Sequence, residues 1–389
     1  MKIRGINNIL RVLLPILAVV AASCTNSKKN GAVTAKNGDS TMEYAKFYSI
    51  EDTLGDIKTI IVKNLWNGAE KIDKYTLVPR DSLSLLEGDE WAIPYPVKNV
   101  VCMSSSHVAL MASLNEHESI SAISGTGFIT NKKVKELIAE GKIADIGSQE
   151  LPNYEKIISL RPDVVIAYGV AGNSNSYIEN LKRYGIKVLT IGEYLENDPL
   201  GKLEYIKLFG LLTEKEQMAD SIYKSVCRQY LQTKEEVAGT IGDEAARTKV
   251  LINAPYKGIW MIPGQENYIS RLVRDAGGMI LGSKEGKSLS SQMSFEQVYQ
   301  IAIQADIWLH TNAINTMQEL ANENPLYKNI PSFQQGKVYN NNLITSNGGS
   351  AFWETGIVEP HLILQDLAIL LHPELFKDAG KLNYYVQLK

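Results

Sequence analysis

From Pro96 onward, short apolar runs alternate with amphipathic stretches. Residues 100–103 read as a buried strand, and Ser104-Ser105-Ser106 can cap a helix that carries Val108, Leu110, Met111 and Leu114. A strand over 120–123 closes at Gly125, and a helix over 132–140 stops at Gly141. Helices over 154–160 and 177–184 and strands over 164–167 and 187–191 continue the alternation. Such alternation implies βαβ units and a parallel sheet. From Pro199 to Gly239 there is no breaker after Gly210, and Leu203, Ile206, Leu211, Met218, Ile222 and Val226 form an apolar stripe. This predicts one or two helices, the longer of about 25 residues. The pattern then restarts, with strands over 249–252 and 307–309 and helices over 269–276, 295–304 and 359–371. Ahead of all this, residues 57–62 and 75–78 are β-rich runs separated by the turn signal Asn67-Gly68, expected as added edge strands on the first lobe. The predicted fold is α/β, two lobes with parallel sheets flanked by helices, bridged by one long α-helix, with extra β strands at the N-terminal side. The expected boundaries are 43–198, 199–242 and 243–389.

The first residues follow another pattern. Residues 1–11 carry three basic and no acidic side chains, and an apolar run over 12–22 ends at Ser23-Cys24. A basic start, a short apolar stretch and small residues at the cut describe a secretory signal over 1–23, too short to span a bilayer. Ser23-Cys24 resembles the lipobox of bacterial lipoproteins, with Ala21 where Leu is more usual. That resemblance implies that Cys24 becomes a lipidated first residue and binds the lipid membrane. Residues 24–42, rich in Asn, Ser, Thr, Gly and Lys, read as a flexible tether. The basic Lys28-Lys29 lean towards the periplasm and the inner membrane rather than the cell surface.

Composition narrows the function. Without residues 1–23 the balance is 37 basic against 43 acidic side chains, with no Lys/Arg-rich tract, which argues against nucleic acid as partner. Cys102 and Cys227 are expected as two separate buried thiols in preference to a disulfide. The five histidines form no HxxxH or HExxH pair, so no residue is expected to hold a metal directly. The loop 282–288 is one residue short of a phosphate-binding loop, and no Gly-x-Ser-x-Gly elbow occurs. The chain is not expected to be an enzyme or to carry a cofactor.

An internal echo joins the halves. Asn153-Tyr154-Glu155 leads through Asp163 into the 164–167 strand, and Ser294-Phe295-Glu296 leads through Asp306 into the 307–309 strand. With Ile146-Gly147, the run 152–167, the run 181–188, Ala276-Gly277-Gly278 and the run 335–339, the chain resembles the periplasmic binding proteins for iron–siderophore complexes, haem and cobalamin. The resemblance covers about 96–375. It implies a rigid helical bridge and a glutamate on each lobe, Glu155 and Glu296, that docks on the permease of an ABC importer with its ATPase. The plainer reading of each is a helix-start carboxylate favoured by the macrodipole.

In α/β folds ligands bind beyond the carboxyl ends of strands, which selects Ser105, Ser106, His107, Phe128, Tyr168, Tyr256, Trp260, Asn312 and Trp353. Aromatics on loops suit a large flat ligand, the serine run suits a carboxylate or phosphate, and His107 offers an axial ligand to haem iron. The expected cargo is a metal chelate, an iron siderophore or haem. Cobalamin or another corrinoid is the alternative, and a sensor or assembly lipoprotein without cargo the further one. A helical bridge predicts little lobe closure on binding.

Overall fold

A computed structural model describes residues 39–40, 42–63, 71–85, 91–169, 176–241, 247–376 and 380–389. The expected signal, Cys24 and nearly all of the expected tether lie outside the described residues, as does the Asn67-Gly68 turn.

Five strands open the described chain: β1 (Asp39–Ser40), β2 (Tyr48–Leu54), β3 (Ile57–Lys63), β4 (Ile72–Pro79) and β5 (Ile93–Tyr95). They form a sheet of their own in the order β1-β2-β3-β4-β5, antiparallel except for β4–β5. They are therefore not edge strands of the first lobe, because their partners are each other. The tether expectation also overran, since Asp39 and Ser40 pair with Glu51 and Ile50.

The first lobe holds β6 (Val100–Cys102), α1 (Ser105–Ser113), β7 (Ile120–Ile123), α2 (Lys132–Ala139), β8 (Ala144–Asp145), α3 (Tyr154–Leu160), β9 (Val164–Tyr168), α4 (Ser176–Arg183) and β10 (Val188–Ile191). Its sheet is parallel, in the order β10-β9-β6-β7-β8. Alternate residues of the central strands serve two cores: Val100, Cys102, Val164 and Ile166 on one face, Val101, Val165 and Ala167 on the other.

Between the lobes, where the sequence predicts one or two helices, there are two, α5 (Pro199–Leu212) and α6 (Glu216–Thr240). Asp198 caps α5 with Pro199 in its first turn, and α5 buries residues all round, so it is a core helix. The chain turns over residues 213–215, with Glu214 at φ 54°, and the two helices then pack closely: a methyl at Gly210, inside α5, would lie 2.6 Å from the Ala219 side chain. The 25-residue α6 packs on α5 from the first half and on helices of the second.

The second lobe runs through β11 (Thr248–Ile252), β12 (Ile259–Ile262), α7 (Tyr268–Asp275), β13 (Gly278–Ile280), β14 (Ser291–Ser294), α8 (Phe295–Ala302), β15 (Ile307–Leu309), α9 (Met317–Glu323), α10 (Pro331–Gln334), β16 (Val338–Asn340), β17 (Thr345–Ser346), β18 (Gly349–Ser350), α11 (Pro360–Leu371) and β19 (Val386–Gln387). Its sheet has the order β13-β11-β15-β16-β19, parallel apart from β19.

The echo has a structural cause. Asp163 accepts from the Lys98 and Asn99 N–H groups ahead of β6, and Asp306 accepts from Lys249 N–H in β11. In each lobe the aspartate pins its strand to the neighbouring one. Cys102 and Cys227 are separate, buried thiols.

Candidate functional site

A cavity of about 430 Å³ opens between the lobes. The first lobe supplies Ser104, Ser105 and Ser106 at the start of α1, Tyr168 at the end of β9, and Glu193 and Tyr194 just after β10. Lys202 comes from α5. The second lobe supplies Asn267, Tyr268 and Ile269 at the start of α7, and Phe352, Trp353 and Ile357 from the loop before α11.

Local chemistry holds each wall in place. Ser104 Oγ accepts from Ser106 N–H and so caps α1, while Asn267 Oδ1 accepts from Ile269 N–H and caps α7. Two helix N-termini thus meet the cavity from opposite lobes, both presenting the positive end of the helix dipole. Tyr194 donates to the Gly169 carbonyl at 2.5 Å and packs edge-on against Tyr168, 5.9 Å between ring centroids. Phe352 packs edge-on against Trp353, His310 and Tyr385.

Beneath α1 lies a buried polar set. Glu193, 2 % exposed, accepts from Ser106 Oγ at 2.8 Å through Oε1, which also stands 3.3 Å from His107 Nε2. Burial opposes the Glu193 charge, but His107, Ser106 and Lys202 outweigh it and hold the pKa below its ordinary value. Lys202 Nζ donates to the Glu193 backbone carbonyl at 2.8 Å and lies 5.1 Å from the Tyr268 ring centre. Burial pushes the Lys202 pKa down to about 8, partly offset by Glu193 and Glu196.

Of the residues expected from strand ends, Ser105, Ser106, Tyr168 and Trp353 come together here. The others stand elsewhere. His107 is fully buried, its Nδ1 bonded to the Ile166 carbonyl and its Nε2 turned to Glu193, so no ring nitrogen faces the cavity for haem iron. Trp260 is a core residue: its Nε1 donates to Ile252 O and its ring stacks on Trp308. Tyr256 is 70 % exposed on the β11–β12 loop, and Asn312 ties that loop to the end of β15 by donating to Ala254 O. Phe128 stands at the lobe junction, its backbone against Gly349. Strand-end reasoning missed Lys202 and the start of α7 because neither follows a strand of a parallel sheet. Glu193 and Tyr194 do follow one, two and three residues after β10, and the same rule applied there reaches them.

Beside the cavity the lobes touch. Glu354, next to Trp353, accepts from Thr130 N–H (2.5 Å), Thr130 Oγ1 (2.6 Å) and Asn131 N–H (3.0 Å) at the start of α2. Ser346 Oγ adds a bond to Gly127 O at 2.9 Å. A methyl at Gly349 would fall 2.0 Å from the Phe128 carbonyl oxygen, so this approach requires glycine.

Glu155 and Glu296 both lie exposed in the first turns of α3 and α8, behind the N-caps Asn153 and Ser294. Among the described residues no group of His, Cys, Asp and Glu could hold a metal ion, and no helix is long and apolar enough to cross a membrane.

Two lobes of parallel sheet about a shared cavity, with a long helix between them, define a solute-binding protein. The chain belongs to the periplasmic binding protein family, whose model matches residues 100–341, and this is the substrate-binding class of ABC importers. It is 26 % identical to an uncharacterized lipoprotein of Methanocaldococcus jannaschii over 97 % of this chain and 95 % of that one. It is 25 % identical to the iron-uptake system-binding protein of Bacillus subtilis over 54 % of this chain and 65 % of that one. A periplasmic heme binding protein from Pseudomonas aeruginosa shares the fold, with a TM-score of 0.54 at 15 % identity, over 75 % of this chain and 98 % of the other.

Proposed function

We propose that this protein is a lipid-anchored, extracytoplasmic, non-enzymatic binding protein that captures an iron chelate, a siderophore complex or haem, in the inter-lobe cavity. It delivers the cargo to an ABC permease that works with its own ATPase. The observation that carries the reading is the cavity itself, walled by both lobes, with Tyr168, Tyr194, Tyr268, Phe352 and Trp353 around a few polar groups. Its volume lies within the range of small-molecule sites, and its aromatic surfaces suit the flat face of a chelate. The similar Bacillus protein is named for iron uptake and the Pseudomonas protein for haem binding. The lipoprotein relative supports anchoring through Cys24.

Glu155 and Glu296 are the docking pair on the permease. Two exposed like charges on separate lobes fix both register and orientation, and their field speeds encounter with a basic surface. The test is a tryptophan-fluorescence titration of the mature chain with ferric siderophores, haem and cobalamin. An iron chelate saturates the signal, and Trp353→Phe abolishes most of the change. Saturation by cobalamin alone reassigns the cargo, and loss of transport but not of binding in Glu155→Ala/Glu296→Ala assigns the docking pair.

A further inference from the structure

The cavity contains one acid and one base, and their surroundings are unequal. Glu193 turns Oε1 beneath the floor, where the Ser106 hydroxyl donates to it and His107 Nε2 stands 3.3 Å away. The His107 Nδ1 contact is the Ile166 carbonyl, which can only accept, so Nδ1 carries a proton and the ring is oriented with Nε2 towards the carboxylate. Lys202 feels the Glu193 and Glu196 charges only at a distance. One of its N–H groups goes to the Glu193 backbone carbonyl, and among the described residues no carboxylate lies within ion-pair distance of Nζ. The starts of α1 and α7 flank the same space, adding partial positive charge from each lobe. One acceptor is also spare: Glu193 Oε2 is buried, belongs to a residue lining the cavity, and finds no hydrogen-bond partner among the described residues.

Resting on the cavity being the cargo site, we infer that it selects a chelate bearing an anionic oxygen group next to a hydroxyl or amide donor. Lys202 and the two helix starts receive the anionic oxygens, and Glu193 Oε2 accepts from the neighbouring donor. An ammonium has the simplest geometry for this role, three donors on a flexible stem that reorients towards whichever oxygen arrives. The lobes contribute unequally, because Lys202 and Glu193 lie on the first-lobe side and the second lobe adds only the neutral start of α7 and its aromatics.

The experiment compares the full mature chain and Lys202→Met, Lys202→Arg and Glu193→Gln in calorimetric titrations. The probes are ferric citrate, which carries carboxylates beside hydroxyls, haem, whose propionates have no adjacent donor, and ferrioxamine B, which has no free carboxylate. Methionine keeps the stem and removes only the charge, and thermal unfolding of each variant shows that the fold stands. Lys202→Met weakens ferric citrate by about tenfold to a hundredfold, the range for a lost charge-assisted hydrogen bond, and leaves ferrioxamine B unchanged. Lys202→Arg retains most of the affinity, and Glu193→Gln weakens citrate more than haem. Equal citrate affinity in wild type and Lys202→Met overturns this inference while leaving the cavity as the cargo site. Failure of every probe to bind the wild type overturns both.

Discussion

Glu204 and Glu354 make the same kind of contact in different places. Each is an almost wholly buried carboxylate, 0 % and 1 % exposed, that gathers backbone N–H groups from a segment remote in sequence. Glu204, on α5, accepts from Glu43, Tyr44 and Ala45 at 2.8–2.9 Å. Glu354 accepts from Thr130 and Asn131. Beside each stands a glycine where a methyl would press on the captured backbone: Gly201 against Tyr44 O at 3.0 Å, Gly349 against Phe128 O at 2.0 Å. The difference is in what is tied and how the charge is met. Glu204 ties the start of the folded chain into the core, and Lys207 Nζ at 2.7 Å answers its charge. Glu354 ties one lobe to the other, and the start of α2 answers its charge. One contact anchors the start of the folded chain, and the other joins the lobes beside the cavity.

The largest expected effect lies at the first site. Glu204→Ala leaves the N–H groups of Glu43, Tyr44 and Ala45, the last of them buried, and Lys207 without their acceptor, at a cost of about 3–5 kcal/mol in denaturant unfolding. Limited proteolysis should then cut near residues 43–47 ahead of the rest of the chain. Native-like resistance there means that the strands which follow, and not Glu204, hold the segment.

Next comes Glu196, which holds the same segment by accepting from Lys46 and Phe47 N–H. Burial raises its pKa to about 7, from an ordinary 4.5. The folded state therefore keeps a proton that the unfolded state has lost, and its contribution is full below about pH 4.5 and falls as pH rises through 7. The loss is of the order of 3 kcal/mol. In Glu196→Gln this part of the pH slope disappears; an unchanged slope places the titration elsewhere.

Glu354→Ala costs less in unfolding, about 1–3 kcal/mol, because the lobes keep their own cores. Its distinctive signature is geometric. Small-angle scattering should show a wider spread of lobe separations in the cargo-free state, and the wild type little compaction on binding, since α6 and this contact both resist hinge motion. Identical profiles for variant and wild type would remove Glu354 from control of the cavity. Gly349→Ala costs a similar amount, about 1–3 kcal/mol, because a methyl there meets backbone and not a movable side chain, and it should also weaken cargo binding by moving Phe352 and Trp353. Gly201→Ala, away from the cavity, should leave binding unchanged.

Much of the architecture was legible in the chain. The predicted strands over 120–123 and 307–309 and the helix over 154–160 coincide with β7, β15 and α3. Apolar runs of strand length bounded by glycines and caps leave the backbone few alternatives. The serine cap at Ser104 and the strand end at Tyr168 placed part of the cavity wall for the same local reason. His107 and Trp260 read the same way in one dimension, yet face into the protein.

The sequence by itself determined the alternation of strands and helices, the long helix between two halves, the aspartate that pins each central strand, and the family. Each of these depends on interactions within a few residues or on patterns repeated along the chain. The tertiary structure alone decided that the first strands form their own sheet, that α5 and α6 pack closely at Gly210, and that Lys202, Glu193 and the start of α7 share one cavity. It also decided which buried carboxylates catch which amides. The carboxylate contacts join residues 161 and 224 positions apart, and the closer pairs too depend on how elements pack, where a hydrogen bond or a missing methyl determines the fit and no local pattern records it.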